Sequence, residues 1–221
     1  LFRSGMHIHT RYEVSNNAGQ DICDIVNNEG FDFLLVGSGI SMSDSPDDIA
    51  ATRYRTSFYN RYFKRFKAPE SWFYPGALLK DKTKMFIARS NCDVGVFINR
   101  NFVKATNTLV VISSEEDLFL LDYTRTLLKA THGSVGIVAK MSTTTPGHDQ
   151  ILKELWDFVS STPQTQLLPD KDLTPGLFNS YNFMLIGYNT WNDVSEHRKE
   201  ALQKMPSTLI LNKNKRSSSD N

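Results

Sequence analysis

The sequence predicts an α/β fold of doubly wound, mainly parallel sheets, made of two related Rossmann-like halves of which the first is truncated at its N-terminus. The first observation behind this is a repeat. Residues 31–37 read Phe-Asp-Phe-Leu-Leu-Val-Gly and residues 181–187 read Tyr-Asn-Phe-Met-Leu-Ile-Gly: an aromatic, a small polar residue, an apolar run and a glycine. Runs this short, closed by glycine, read as fully buried strands of a parallel sheet. The second observation is a further echo after each copy, Cys-Asp-Val-Gly-Val-Phe-Ile-Asn-Arg at 92–100 and Pro-Ser-Thr-Leu-Ile-Leu-Asn-Lys at 206–213. Two echoes in one order point to two related units. The third is helical periodicity between the strands, the βαβ pattern.

In chain order, residues 6–14 alternate His7, His9 and Arg11 against Ile8, Thr10 and Tyr12, a strand with one polar face. Ser15, Asn16 and Asn17 offer caps for a helix over 18–29, with Ile22, Ile25 and Val26 on one face and Gly30 as its stop. The buried strand 33–36 follows. From Gly37 the chain turns polar, and a helix start is expected near Pro46. Residues 53–67, wound as a helix, gather Tyr54, Phe58, Tyr59, Tyr62, Phe63 and Phe66 on one side, with most of the basic residues opposite. Residues 68–84 read as irregular, and strand 94–98 closes this half.

The second half opens with strand 108–112, and Ser113-Ser114-Glu115-Glu116 begins a helix running to about His132. Strand 134–139, a threonine-rich loop over 141–148 and a helix over 149–160 follow. A proline-rich connection then leads to strand 183–186; Asp193 caps a last helix to Lys204, and strand 208–211 is the last. Hence the halves are 1–104, with an insert at about 38–90, and 105–213, leaving 214–221 as a disordered serine-rich tail.

With 221 residues and a net charge of +1, a sizeable core is expected and bulk electrostatic binding to nucleic acid is not. Cys23 and Cys92, outside any CxxC pattern, read as buried small apolar residues rather than a disulfide or zinc site. No Asn-x-Ser/Thr acceptor is present, which favours the cytosolic side. No apolar run approaches the roughly 18 residues of a membrane span. The start at Leu1 and the incomplete first half read as a piece of a longer protein.

The run 92–100, the strand Leu109-Val110-Val111-Ile112 and the strand Gly133-Ser134-Val135-Gly136-Ile137-Val138 resemble the C-terminal cytosolic region of monovalent cation:proton antiporters of the plant and fungal CHX type. Residues 6–15, 18–30 and 31–37 resemble that family's strand, helix and hydrophobic strand, while the insert and tail are more similar to the fungal endomembrane potassium/proton antiporters. The resemblance implies two universal-stress-like halves forming a regulatory domain, with the transport residues elsewhere. It implies the antiporter's own membrane domain as partner and a place on the cytosolic face of the Golgi or another endomembrane. A homodimer is the alternative association.

For chemistry, Gly37, Ser38 and Gly39 are the candidate nucleotide loop, ATP or another nucleotide being the only cofactor considered; the further glycines of a phosphate-cradling loop do not follow, so strand-end turns are the plainer reading. His7 and His9 share a strand face but lack a third metal ligand. No nucleophile–base set converges, and Asp117, Asp122 and Glu154 read as exposed helix faces, so no enzyme is expected. Arg61, Lys64, Arg65 and Lys67 form the candidate interaction surface, toward an anionic membrane or the antiporter's own loops; a rim of solvated cations on a packed helix is the alternative.

Overall fold

The computed structural model describes residues 17–37, 81–141, 147–169, 173–197 and 204–214. Within them the elements are α1 (Ala18–Asn28), β1 (Phe33–Gly37), α2 (Asp81–Arg89), β2 (Asp93–Ile98), β3 (Asn107–Ile112), α3 (Leu120–Thr131), β4 (Ser134–Ala139), α4 (His148–Ser161), β5 (Thr165–Pro169), α5 (Pro175–Phe178), β6 (Phe183–Gly187), α6 (Tyr188–His197) and β7 (Ser207–Asn212). A 3-10 turn over Glu115–Asp117 leads into α3.

The strands form one seven-stranded sheet in the order β1-β2-β7-β6-β3-β4-β5. All neighbours run parallel except β2 and β7. The fold is therefore a mainly parallel, doubly wound α/β sheet, and the repeated strands of the two halves meet edge to edge within it. Their meeting is symmetric. Val94 faces Asn212, Ile98 faces Thr208, and Val96 faces Ile210 at the centre. On either side Phe33 pairs with Asp93 as Phe183 pairs with Ser207, so the sequence echoes are related by a local two-fold through the Val96–Ile210 pair.

Helices cover both faces, as a parallel sheet requires. On one, Val110, Ile112, Val135, Ile137 and Leu185 pack with Leu120 and Leu128 of α3 and Ile151, Leu155 and Phe158 of α4. On the other, Leu109, Val111, Met184, Ile186, Val96 and Ile210 pack with Phe178 of α5 and Trp191 and Val194 of α6. The period-2 alternation of the strands sorts these residues between two cores. At about 25 cal/mol per Å² of apolar surface removed from water, such burial is the main stabilising term.

Local signals account for the element ends. Asn17 caps α1 by accepting from Gln20 N at 3.4 Å, and Gly30, at φ +67°, takes the left-handed turn after it. α1 and α2 are tied side by side: Asn27 donates to Arg89 O at 2.8 Å and accepts from Asn91 N at 2.7 Å. Asn182 aligns β6 with β3, accepting from Asn107 N at 3.1 Å and donating to Thr106 Oγ1 at 2.6 Å.

Several expectations are corrected. β1 is not fully buried, because only β2 flanks it among the described residues, whereas β6 lies between β7 and β3 and is buried throughout. The proline-rich connection contains strand β5, which tolerates Pro169 at its end as an edge strand does. The last helix starts directly from β6 at Tyr188, so Asp193 lies inside it rather than at its cap. Residues 81–84, expected to be irregular, belong to α2. Asn214, placed in the tail, is a hub: its amide donates to Ile87 O, Ser90 O and Cys92 O at 3.3, 2.6 and 3.0 Å, and its N–H donates to Asp93 Oδ1 at 3.1 Å.

Candidate functional site

In β3–β7 the chain starts at β3, runs outward through β4 and β5, then returns to β6 on the other side of β3. The carboxyl ends of β3 and β6 thus flank the topological switch point, where open α/β sheets bind their ligands. Here the crevice is occupied by the protein's own acid. Asp117, 2% exposed, accepts at Oδ2 from Ser113 N at 2.8 Å, Ser114 N at 3.3 Å and Thr190 Oγ1 at 2.6 Å. Ser113 Oγ lies 3.2 Å from the same oxygen and is also hydrogen-bonded to Thr190 Oγ1.

The local chain explains the arrangement. Ile112 ends β3, Ser113 and Ser114 turn the backbone, and the 3-10 turn brings Asp117 back over their N–H groups. From the other side, α6 begins immediately after Gly187 and delivers Asn189 and Thr190; Asn189 donates to Glu116 Oε2 at 2.7 Å. Gly187 is required at the floor, since a Cβ there would overlap the Asp117 carboxylate. A charge-assisted network of this kind, removed from water, holds two chain segments together more firmly than neutral pairs do.

Gly37, the counterpart of Gly187, has nothing within 4 Å of a Cβ position among the described residues. Ser38 and Gly39 of the candidate nucleotide loop lie outside the described residues, as do His7, His9, Arg61, Lys64, Arg65 and Lys67. Asp122 and Glu154 are exposed as expected, but the expectation for Asp117 is overturned: its spacing from Ser113 closes a turn instead of facing solvent. The signal available in the sequence was the pairing of a Ser-Ser-Glu-Glu-Asp run after one strand with a glycine ending another, which acquires meaning only once β3 and β6 are neighbours.

Cys23 and Cys92 are both buried, as free thiols. Burial pushes the Cys23 thiol above its ordinary range, partly offset by Ser90, whose hydroxyl lies 4.0 Å from Sγ. Among the described residues there is no group of three or more His, Cys, Asp or Glu placed to hold a metal, and no helix long and apolar enough to cross a membrane.

Compared with known proteins, no family model matches the chain and no curated protein matches it. Among solved structures, a universal stress protein from Archaeoglobus fulgidus DSM 4304 matches with a TM-score of 0.48 at 10% sequence identity, over 89% of this chain. The chain spans 65% of the length of that protein.

Proposed function

We propose that the chain is a non-enzymatic regulatory domain of universal-stress type, attached to a monovalent cation/proton antiporter. In that reading it lies on the cytosolic face of the Golgi or another endomembrane, modulates the exchange of potassium or sodium for protons, and docks on the antiporter's membrane domain. One observation carries the reading without a bound nucleotide: the Asp117 carboxylate takes the backbone N–H groups of Ser113 and Ser114 at the switch point. Those are the donors that would otherwise face a phosphate, and an acidic side chain in that place opposes one. The antiporter assignment is supported by the sequence resemblance of residues 92–100 and the two strands after them. A second reading, a nucleotide-binding stress-type protein, is favoured by Gly37, whose Cβ position meets nothing within 4 Å among the described residues.

Two experiments test the proposal. Thermal melts with and without ATP are expected to share one midpoint, because only a ligand of the folded state raises it; a dose-dependent rise favours the second reading. Replacement of Arg61, Lys64, Arg65 and Lys67 by Ser in the full antiporter is expected to weaken liposome flotation and alter transport. Unchanged flotation together with unchanged transport overturns the docking role of that stretch.

A further inference from the structure

α1 and α2 stand apart from both cores of the sheet. Among the described residues, neither helix contributes a side chain to the clusters that α3, α4, α5 and α6 build with the strands. α1 buries only Gly19, Cys23 and Val26, whereas α4 buries Ile151, Leu155 and Phe158. The two helices approach closely, since a Cβ on Gly19 would overlap the terminal methyl of Met85. Beyond that contact, the described ties between them are polar and converge on the turn that joins α2 to β2.

That turn is fastened from three elements. From α1, Asn27 donates to Arg89 O and accepts from Asn91 N. From α3, the Tyr123 hydroxyl donates to Asp93 Oδ2 at 2.8 Å. From the end of β7, Asn214 donates its N–H to Asp93 Oδ1 and spreads one amide nitrogen over Ile87 O, Ser90 O and Cys92 O. Asn212 fixes the orientation of that amide by donating to Asn214 Oδ1 at 2.5 Å. Ser90 is 5% exposed and Cys92 2%, so water replaces this side chain only if the turn opens. A segment with few buried apolar contacts, closed by hydrogen bonds, belongs to the low-stability end of a fold.

We propose that α1 and α2 form a releasable pair and that Asn214 is its clasp: the pair opens as a unit, with the sheet and the helices on β3–β6 intact, when residue 214 leaves the α2–β2 turn. The device joins the two halves at one point. Position 214 directly follows the last strand of the second half, while every group its side chain and N–H donate to lies in residues 87–93 of the first. Displacement of the chain at the end of β7 is thereby converted into opening of α1 and α2. This inference does not depend on the antiporter reading.

Native-state hydrogen exchange of the full chain at low denaturant concentrations tests this. Amides of α1 and α2 are expected to exchange through an opening with a smaller denaturant slope and a lower free energy than those of β3 and β4. Asn214→Ala removes ties made only in the closed state, so exchange in α1 and α2 should rise by about tenfold. Asn27→Ala, which cuts the tie from α1, should act in the same direction and serves if the first variant does not fold. Ile137→Val, in the core under α3 and α4, should speed exchange in β3 and β4 and leave α1 and α2 unchanged. The proposal is overturned if α1, α2 and β4 share one free energy and one slope, or if neither asparagine variant speeds exchange in α1 and α2. It is equally overturned if Ile137→Val speeds α1 and α2 as much as β4.

Discussion

Leu35 and Leu185 occupy the same place in two copies of one strand, yet Leu35 points mostly into solvent and Leu185 is buried between β7 and β3. The contrast shows that position in the sheet, rather than the strand's own residues, decides burial. Leu185→Ala is expected to cost about 2–5 kcal/mol, the range for a buried leucine left as a cavity, and Leu35→Ala less than about 1 kcal/mol. Urea denaturation of both variants checks this; equal losses would show that Leu35 is buried in solution.

The two repeated glycines make a second pair. Gly187→Ala forces a Cβ into the Asp117 carboxylate, so a loss of roughly 2 kcal/mol or more is expected. Gly37→Ala meets nothing within 4 Å among the described residues, and a change within about 0.5 kcal/mol, or a slight gain from a stiffer unfolded chain, is expected.

Asp117→Ala leaves the N–H groups of Ser113 and Ser114 and the Thr190 hydroxyl without their acceptor. A destabilisation of about 2–4 kcal/mol is expected, and Thr190→Val should cost about half as much. Since the two side chains share one network, the double variant should fall short of the sum, which a double-mutant cycle measures directly.

Asn214 predicts where the chain can be shortened. Its amide holds three carbonyls around the turn between α2 and β2, so Asn214→Ala should lower stability by about 1–3 kcal/mol. Truncation after residue 214 should leave the melting midpoint unchanged, and truncation after 213 should reproduce the loss.

Cys23 gives a pH dependence of known sign. Its folded-state value is raised by burial, so the folded protein keeps the thiol proton more tightly than the unfolded chain does. The stability it contributes is fully present below the ordinary thiol range and declines as pH rises from that range toward the raised value. Cys23→Ala should flatten this part of a stability–pH curve measured by chemical denaturation.

Much of this architecture is legible in the sequence. The glycine-closed apolar runs mark β1 and β6, and the second echo marks β2 and β7, because buried parallel strands must be apolar on both faces. β5 is hidden since Thr-Gln-Leu-Leu-Pro sits between prolines and looks like a connection. The start of α6 is hidden because Tyr-Asn-Thr-Trp-Asn-Asp is polar in composition, and only the spacing of Trp191 and Val194 onto one core shows a helix. Asp117 could not be placed by periodicity, which reports the face of a helix but not that the ends of β3 and β6 are neighbours.

The account rests on a switch-point crevice closed by Asp117, and direct binding of nucleotide measures that closure. In equilibrium dialysis of the 221-residue chain against labelled ATP, the expected result is no saturable binding. Saturable binding of one ATP per chain, lost in Gly187→Ala and kept in Gly37→Ala, would contradict it.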